Sequence, residues 1–132
     1  MRQESRRWLR QAEADMEGAQ LSISGGRYEW ACFQAEQSGE KALKAFLYGR
    51  GYTSILTHSI RELLRECITF EGVFGELEEA AGYLDAFYLT TRYPDSLVGN
   101  VAPADYYTKE DAQRCQSSAE LILKVVKSFF SK

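Results

Sequence analysis

Residues 27–48 read RYEWACFQAEQSGEKALKAFLY, and this stretch decides the fold. Its small residues recur at alternating spacings of three and four, which is the period of one face of an α-helix. They are Ala31, Ala35, Ser38, Ala42 and Ala45. Small side chains along one face let a neighbouring helix approach closely. The stretch therefore predicts a long helix packed tightly against a partner helix.

The segments on either side continue this helical pattern and are separated by glycines. Gly25 and Gly26 end a first segment, and the third and fifth open on Ser59 and Thr108, residues that cap helices. The predicted helices cover approximately residues 3–24, 27–48, 59–70, 76–92, and 108 to near the C-terminus. The fold class is therefore all-α, an up-and-down antiparallel bundle of about five helices, in a single domain over residues 1–132.

Composition excludes several classes of function. The chain has 132 residues and a formal net charge of −3, so it lacks the basic excess typical of nucleic-acid-binding proteins. No apolar run is long enough to span a membrane. Cys32, Cys67 and Cys115 are too widely spaced for a zinc or redox motif and are expected to be buried thiols. We expect a cytoplasmic protein without a metal site, and RNA is not the expected ligand.

The fourth predicted helix ends at Arg92-Tyr93-Pro94-Asp95, which opens a long irregular loop reaching Tyr107. A residue that precedes proline disfavours helical backbone, so the chain is expected to turn here. In a functional interpretation Arg92 binds a phosphate as a two-pronged donor, and Tyr93 stacks on a base. In a structural interpretation Arg92 binds the carbonyls at the helix end, and Asp95 caps the turn. The residues themselves do not separate the two.

A polar stripe on the second helix supplies the other candidate ligand-binding residues. Gln37, Lys41 and Lys44 lie about a third of a turn from the small-residue face, with Glu40 beside them. These groups either line a groove for a phosphate or a base, or form a solvated flank with internal Glu–Lys pairs. His58 precedes the third helix, where backbone N–H groups favour anions. It either contacts a ligand or acts as a local cap.

With these residues in place, the chain resembles the HEPN family of small helical-bundle domains. The similarity rests on Trp8-Leu9, residues 37–45, His58-Ser59, Leu84-Asp85 and residues 91–95. It implies an up-and-down bundle that is usually homodimeric. Many such domains are encoded beside a minimal nucleotidyltransferase, and others are proposed to bind nucleotides.

The sequence departs from the ribonucleases of that family at the decisive place. Those members carry an Arg followed by His after four to six intervening residues. Here the single histidine is His58, and the preceding Arg50 leaves seven residues between them. Such chemistry needs His to move a proton and Arg to stabilise charge on the phosphate. We therefore assign no catalytic residue.

The leading hypothesis is a non-catalytic nucleotide-binding module that acts with a separate nucleotidyltransferase chain, as in a toxin–antitoxin pair. The expected ligand is a nucleotide, with Mg²⁺ as its companion ion. Its site would comprise Gln37, Lys41, Lys44, His58, Arg92, Tyr93 and Asp95. The alternatives are a ribonuclease toxin with an atypical Arg/His arrangement, and a domain that binds only protein partners. A homodimer is expected in each case.

Overall fold

The computed structural model describes residues 2–90 and 101–130, apart from the side chains of residues 89 and 90. Within these ranges the chain is helical and contains no β-strand. A 3₁₀ helix, Gly72–Leu77, lies between α3 and α4. The α-helices are α1 Gln3–Ser24, α2 Tyr28–Gly49, α3 Ile60–Phe70, α4 Glu78–Asp85, α5 Phe87–Thr90, α6 Pro103–Tyr106 and α7 Lys109–Ser128. The prediction of an all-α helical bundle is confirmed.

α2 is the central helix of the bundle and packs against each of the other numbered helices. Its small-residue face is wholly inaccessible, comprising Ala31, Ala35, Ser38, Ala42 and Ala45 at 0% exposure. The Ser38 hydroxyl donates to the carbonyl of Ala12 on α1 at 2.7 Å, which requires close contact between the two helices. The spacing of small residues in the sequence therefore identified the central packing surface.

The helix starts agree with the capping signals in the sequence. Thr108 and Asp111 form a reciprocal capping box at the start of α7. Ser59 accepts from the backbone N–H of Glu62 at 3.3 Å. The Glu62 carboxylate, however, accepts from Thr57 instead of reaching back to Ser59. Only one of the two hydrogen bonds of a Ser59–Glu62 capping box therefore forms at the start of α3, because the Thr57 hydroxyl binds the Glu62 carboxylate.

Two predictions in the second half of the chain differ from the structure. The helix expected over 76–92 begins as a 3₁₀ turn and is interrupted at Ala86. The Ala86 N–H bonds to the carbonyl of Leu84, which lies only two residues earlier. The loop expected up to Tyr107 contains α6, whose first residue is Pro103. Proline is favoured there because its fixed φ suits a helix start. It lacks an N–H, but the N–H of the first helical residue has no acceptor within the helix in any case.

The cysteines are buried thiols, as expected: Cys32, Cys67 and Cys115 form no disulfide. Burial raises the pKa of the Cys67 thiol to about 12, and the Glu66 carboxylate acts in the same direction. No described helix is both long enough and apolar enough to cross a membrane.

Candidate functional site

A buried ionic cluster lies where α2 meets the segment before α3. The Lys44 ammonium donates to Glu40 Oε2 at 2.8 Å, and both side chains are at most 5% exposed. His58 Nδ1 lies 3.1 Å from the same oxygen. The helix spacing i, i+4 brings Lys44 to Glu40, and the chain leading into α3 adds His58. Two of the predicted site residues thus converge on one carboxylate.

Glu36, one turn before Glu40, extends this cluster inward and was not identified from the sequence. It is fully buried. Burial raises its pKa to about 8, the charges of Glu40 and Asp85 act in the same direction, and a hydrogen bond from Gln37 acts against them. The proximity of the Glu40 side chain also acts to raise the pKa of Glu36. We assign a proton to Glu36 at neutral pH, since two ionised carboxylates would repel each other in this apolar setting.

Two carboxylate oxygens of this pair lack a hydrogen-bond partner within the described part of the chain, Glu36 Oε2 and Glu40 Oε1. Buried polar atoms without partners are rare in native proteins because their lost hydration is not replaced. A buried pair of carboxylates is therefore unusual here, since apolar residues could occupy the same two helix positions.

His58 forms the mouth of the site. Its ring stacks on that of Tyr88 from α5, with centroids 5.1 Å apart and planes 13° apart. Its side chain is 56% exposed, whereas that of Glu40 is 3% exposed. The stack and the carboxylate beneath it fix the ring orientation. His58 is not the cap of α3, because Ser59 has that role.

The outer part of the polar stripe faces α1. Lys41 Nζ lies 2.7 Å from Asp15 Oδ2, with side-chain exposures of 22% and 16%. Gln37 donates to Glu36 Oε1 at 2.7 Å. Both lysines of the stripe are therefore matched by acids within the protein. The internal Glu–Lys pairing considered from the sequence is present.

A shallow groove of about 340 Å³ adjoins this stripe and is lined by Arg7, Trp8, Gln11 and Lys41. The Trp8 ring stacks on Tyr48 at 5.5 Å, and Lys44 Nζ lies 5.4 Å from its centroid. Trp8 thus separates the groove from the buried cluster. The cation–π contact is a further stabilising interaction for the Lys44 ammonium.

Asp85, an acid in an apolar helical window, has a structural role. Its Oδ1 accepts from the backbone N–H of Ile60, and its Oδ2 accepts from the Ser59 hydroxyl, both at 2.8 Å. A carboxylate at a helix N-terminus is favoured by the exposed N–H groups there. Asp85 therefore holds the end of α4 against the start of α3, next to His58.

Arg92, Tyr93 and Asp95 lie outside the described residues, so their assignment stays a prediction. In the sequence Arg92 follows the end of α5 by two positions, and α5 carries Tyr88. At the far end of the same loop Tyr107 is buried. Its ring packs 5.5 Å from Phe87, also on α5. Tyr107 thus ties the start of α7 to this part of the bundle.

Arg50, the arginine that precedes His58 in sequence, is engaged at the other side of the α2–α3 connection. It pairs with Glu71 at 2.9 Å. Its guanidinium lies 4.9 Å from the ring centroid of Phe46 and 5.6 Å from that of Phe70. These contacts hold Arg50 in a structural role. Among the described residues, no group of three or more His, Cys, Asp and Glu side chains is arranged to hold a metal ion.

The all-α bundle defines a class of small helical domain, and comparison with known proteins identifies the family. The HEPN domain family model matches residues 5–129. The chain therefore belongs to the HEPN family, as the sequence resemblance indicated.

Individual relatives agree with this assignment. The structure of TT1696 from Thermus thermophilus superposes with a TM-score of 0.89 at 38% identity, covering 96% of this chain and 98% of that one. ST0689, an archaeal HEPN homologue, superposes with a TM-score of 0.78 at 38% identity, covering 97% and 98%. A Methanocaldococcus jannaschii protein named "Putative toxin MJ1304" is 28% identical over 95% of this chain and 87% of its own length.

Proposed function

We propose that this HEPN domain binds a nucleotide without turning it over, as the accessory chain of a separate nucleotidyltransferase in a toxin–antitoxin pair. The observation that carries the proposal is the His58–Tyr88 stack above the Glu40 carboxylate. A half-exposed, oriented aromatic pair offers a flat surface to a nucleobase, and base–aromatic stacking contributes about 1–3 kcal/mol per base in proteins.

The charged residues around this stack determine where the phosphates of the nucleotide bind. Lys44 is buried and its charge is offset by Glu40, so it acts on the ligand through the orientation of that carboxylate. Lys41 lies at the rim, close enough to the surface to exchange Asp15 for a phosphate. Arg92 is the other proposed phosphate contact, with Tyr93 and Asp95 beside it. Gln37 positions the buried pair from below.

The contacts that Arg50 makes inside the protein favour a non-catalytic role. An Arg–His ribonuclease pair requires both groups at the scissile phosphate, and Arg50 is bound to Glu71 and to two aromatic rings. The toxin–antitoxin setting is supported by the name of the Methanocaldococcus relative. The nucleotidyltransferase partner follows from the family resemblance.

A thermal-shift screen against nucleotides, with and without Mg²⁺, tests the binding proposal. A ligand at a hundred times its dissociation constant stabilises the native state by about 2.7 kcal/mol, a shift of several degrees in Tm for a domain of this size. We expect His58→Ala to abolish the shift and Tyr88→Phe, which keeps the ring, to retain it. A shift that persists in His58→Ala would place the nucleotide elsewhere, and no shift with any nucleotide would reject the proposal.

The partner proposal has a separate test. The protein is expressed together with a minimal nucleotidyltransferase from the same genome, and any complex is purified through a tag on one chain. Stoichiometric co-purification supports the pair. Independent elution of the two proteins contradicts it, whatever the nucleotide screen finds.

We further propose that the domain is a homodimer. Leu21 is 74% exposed and Trp30 is 51% exposed. They lie on either side of the turn that joins α1 to α2, so both apolar side chains are presented at the same end of this hairpin. Exposed apolar and aromatic side chains at one end of a helical hairpin are typical of protein–protein contacts.

A further inference from the structure

A second groove lies between α3 and α4, away from the polar stripe of α2. It is a cavity of about 190 Å³ lined by Arg61, Leu64, Arg65 and Glu78. The two arginines are four residues apart and therefore share one face of α3, about 6 Å apart along its axis. The groove thus presents two guanidinium groups along one wall.

The absence of a side chain at Gly82 lets the Arg61 side chain lie against α4. A Cβ placed on Gly82 would stand 2.6 Å from Arg61 Nη2 and 3.0 Å from Arg61 Nε. The guanidinium therefore lies directly on the backbone of α4 at this glycine. A side chain at position 82 would occupy the space that the Arg61 guanidinium takes in this structure.

The positive charges of the two arginines in this groove are not balanced by ion pairs with the described residues. Arg50 and Arg114 approach the carboxylates of Glu71 and Glu79, but neither Arg61 nor Arg65 forms an ion pair or a side-chain hydrogen bond with any described residue. Glu78 lies on the α4 side of the groove and forms no ion pair with either of them. Two unpaired guanidiniums beside one acid give the cavity a net positive charge.

We propose that Arg61 and Arg65 form a binding site for a phosphate-bearing ligand in the α3–α4 groove, distinct from the His58–Tyr88 site. Guanidinium groups bind phosphate oxygens through paired, charge-assisted hydrogen bonds, and two of them within a turn match a ligand with two adjacent phosphoryl groups. Inorganic pyrophosphate is the simplest such probe. It carries no base, so the test does not depend on the proposed nucleotide function.

The experiment is a titration of the full chain with pyrophosphate at low ionic strength, followed by calorimetry and by amide chemical shifts in NMR spectra. We expect binding with shifts concentrated in α3 and α4. The Arg61→Ala/Arg65→Ala variant should lose about tenfold or more in affinity, as expected when charge-assisted hydrogen bonds are removed. The matched control is Arg6→Ala/Arg10→Ala, which removes the same charge at the same spacing from the exposed face of α1.

Gly82→Ala separates a built site from a general attraction to positive charge. The variant keeps every charge, and alanine favours the helical state, so folding is preserved. Its methyl group would displace the Arg61 guanidinium, and we expect a loss of about threefold or more in pyrophosphate affinity, since the paired geometry is disturbed. Equal affinities in the parent, Gly82→Ala and the two double variants would overturn the proposal. So would chemical-shift changes centred on His58 instead of α3.

Discussion

His58 Nδ1 lies 3.1 Å from Glu40 Oε2, the same oxygen that accepts the Lys44 ammonium at 2.8 Å. One carboxylate therefore connects an exposed imidazole to a buried cation. Because the side chain of Glu40 is 3% exposed, its charge is supported mainly by these two neighbours. The chemistry of the site therefore depends on the orientation of that carboxylate.

The first prediction concerns Lys44. Lys44→Ala leaves Glu40 buried without its main counter-charge, and removing one partner of a buried ion pair typically costs about 3–5 kcal/mol in the free energy of unfolding. Lys41→Ala is the control on the same helix. It breaks a more exposed pair with Asp15, so its cost should be about 1 kcal/mol or less. Urea denaturation measures both, and similar costs would show that burial does not distinguish the pairs.

The second prediction concerns the proton on Glu36. Its pKa rises from 4.5 in the unfolded reference to about 8 in the folded protein. Between these values the unfolded chain has released the proton and the folded protein retains it. The contribution of Glu36 to stability is thus fully present below pH 4.5 and is lost as pH rises through about 8. Within this window the loss is about 1.4 kcal/mol per pH unit.

Glu36→Gln removes this dependence, because the amide is neutral at every pH in the window and similar in shape to the protonated acid. We expect the variant to gain stability relative to the parent as pH increases, measured by urea denaturation between about pH 5 and pH 8. Glu17→Gln, at an exposed position of α1, should show a constant difference. A parallel pair of curves for Glu36→Gln and the parent would mean that Glu36 is ionised in the folded state.

How much of this was predictable from the sequence depends on whether a feature is local. The small-residue face of α2 and the cap formed by Thr108 involve residues within one or two helical turns, and both were predicted, whereas the reciprocal bond from Asp111 was not. His58 and Lys44 were identified as candidates from their chemistry alone. Their meeting at Glu40 was not predicted, because it depends on where the chain between α2 and α3 passes over the bundle.

Glu36 shows most clearly what could not be predicted from the sequence. Its neighbours Gln37 and Glu40 make the local sequence polar, so the window is typical of a solvent-exposed flank. The contacts of α2 with α3, α4 and α5 bury that flank, and they are long-range. The signal that was present is the pair of glutamates at spacing i, i+4, which places two carboxylates on one helix face. Asp85 was likewise visible as an acid in an apolar window, without its acceptor role at α3 being apparent.

The third prediction concerns the junction of α3 and α4. Asp85→Ala removes both bonds that this carboxylate accepts, from the Ser59 hydroxyl and the Ile60 N–H. We expect a loss of about 1–3 kcal/mol in the free energy of unfolding, as for a partly buried donor left unpaired. Thr108→Ala, which removes a cap with no such link between helices, should cost about 1 kcal/mol.

A double-mutant cycle makes the Asp85 prediction specific. If the Ser59 and Asp85 side chains act together, the combined variant costs less than the sum of the single variants, and the difference is the coupling energy. We expect a coupling of about 0.5 kcal/mol or more, since hydrogen-bonded neighbours are generally non-additive. Strict additivity would show that the contact between these two side chains does not contribute.

The fourth prediction concerns the proposed dimer. Leu21→Gln/Trp30→Gln replaces two exposed apolar side chains near the α1–α2 turn with polar ones. Neither residue belongs to the buried core, so the fold should be retained while self-association weakens. Light scattering coupled to size-exclusion chromatography should then show a dimer for the parent and a monomer for the variant. Leu56→Gln is the control, at a residue that is 88% exposed in the connection between α2 and α3. A dimer that survives the double substitution would place the interface on another face, and a monomeric parent would reject the homodimer itself.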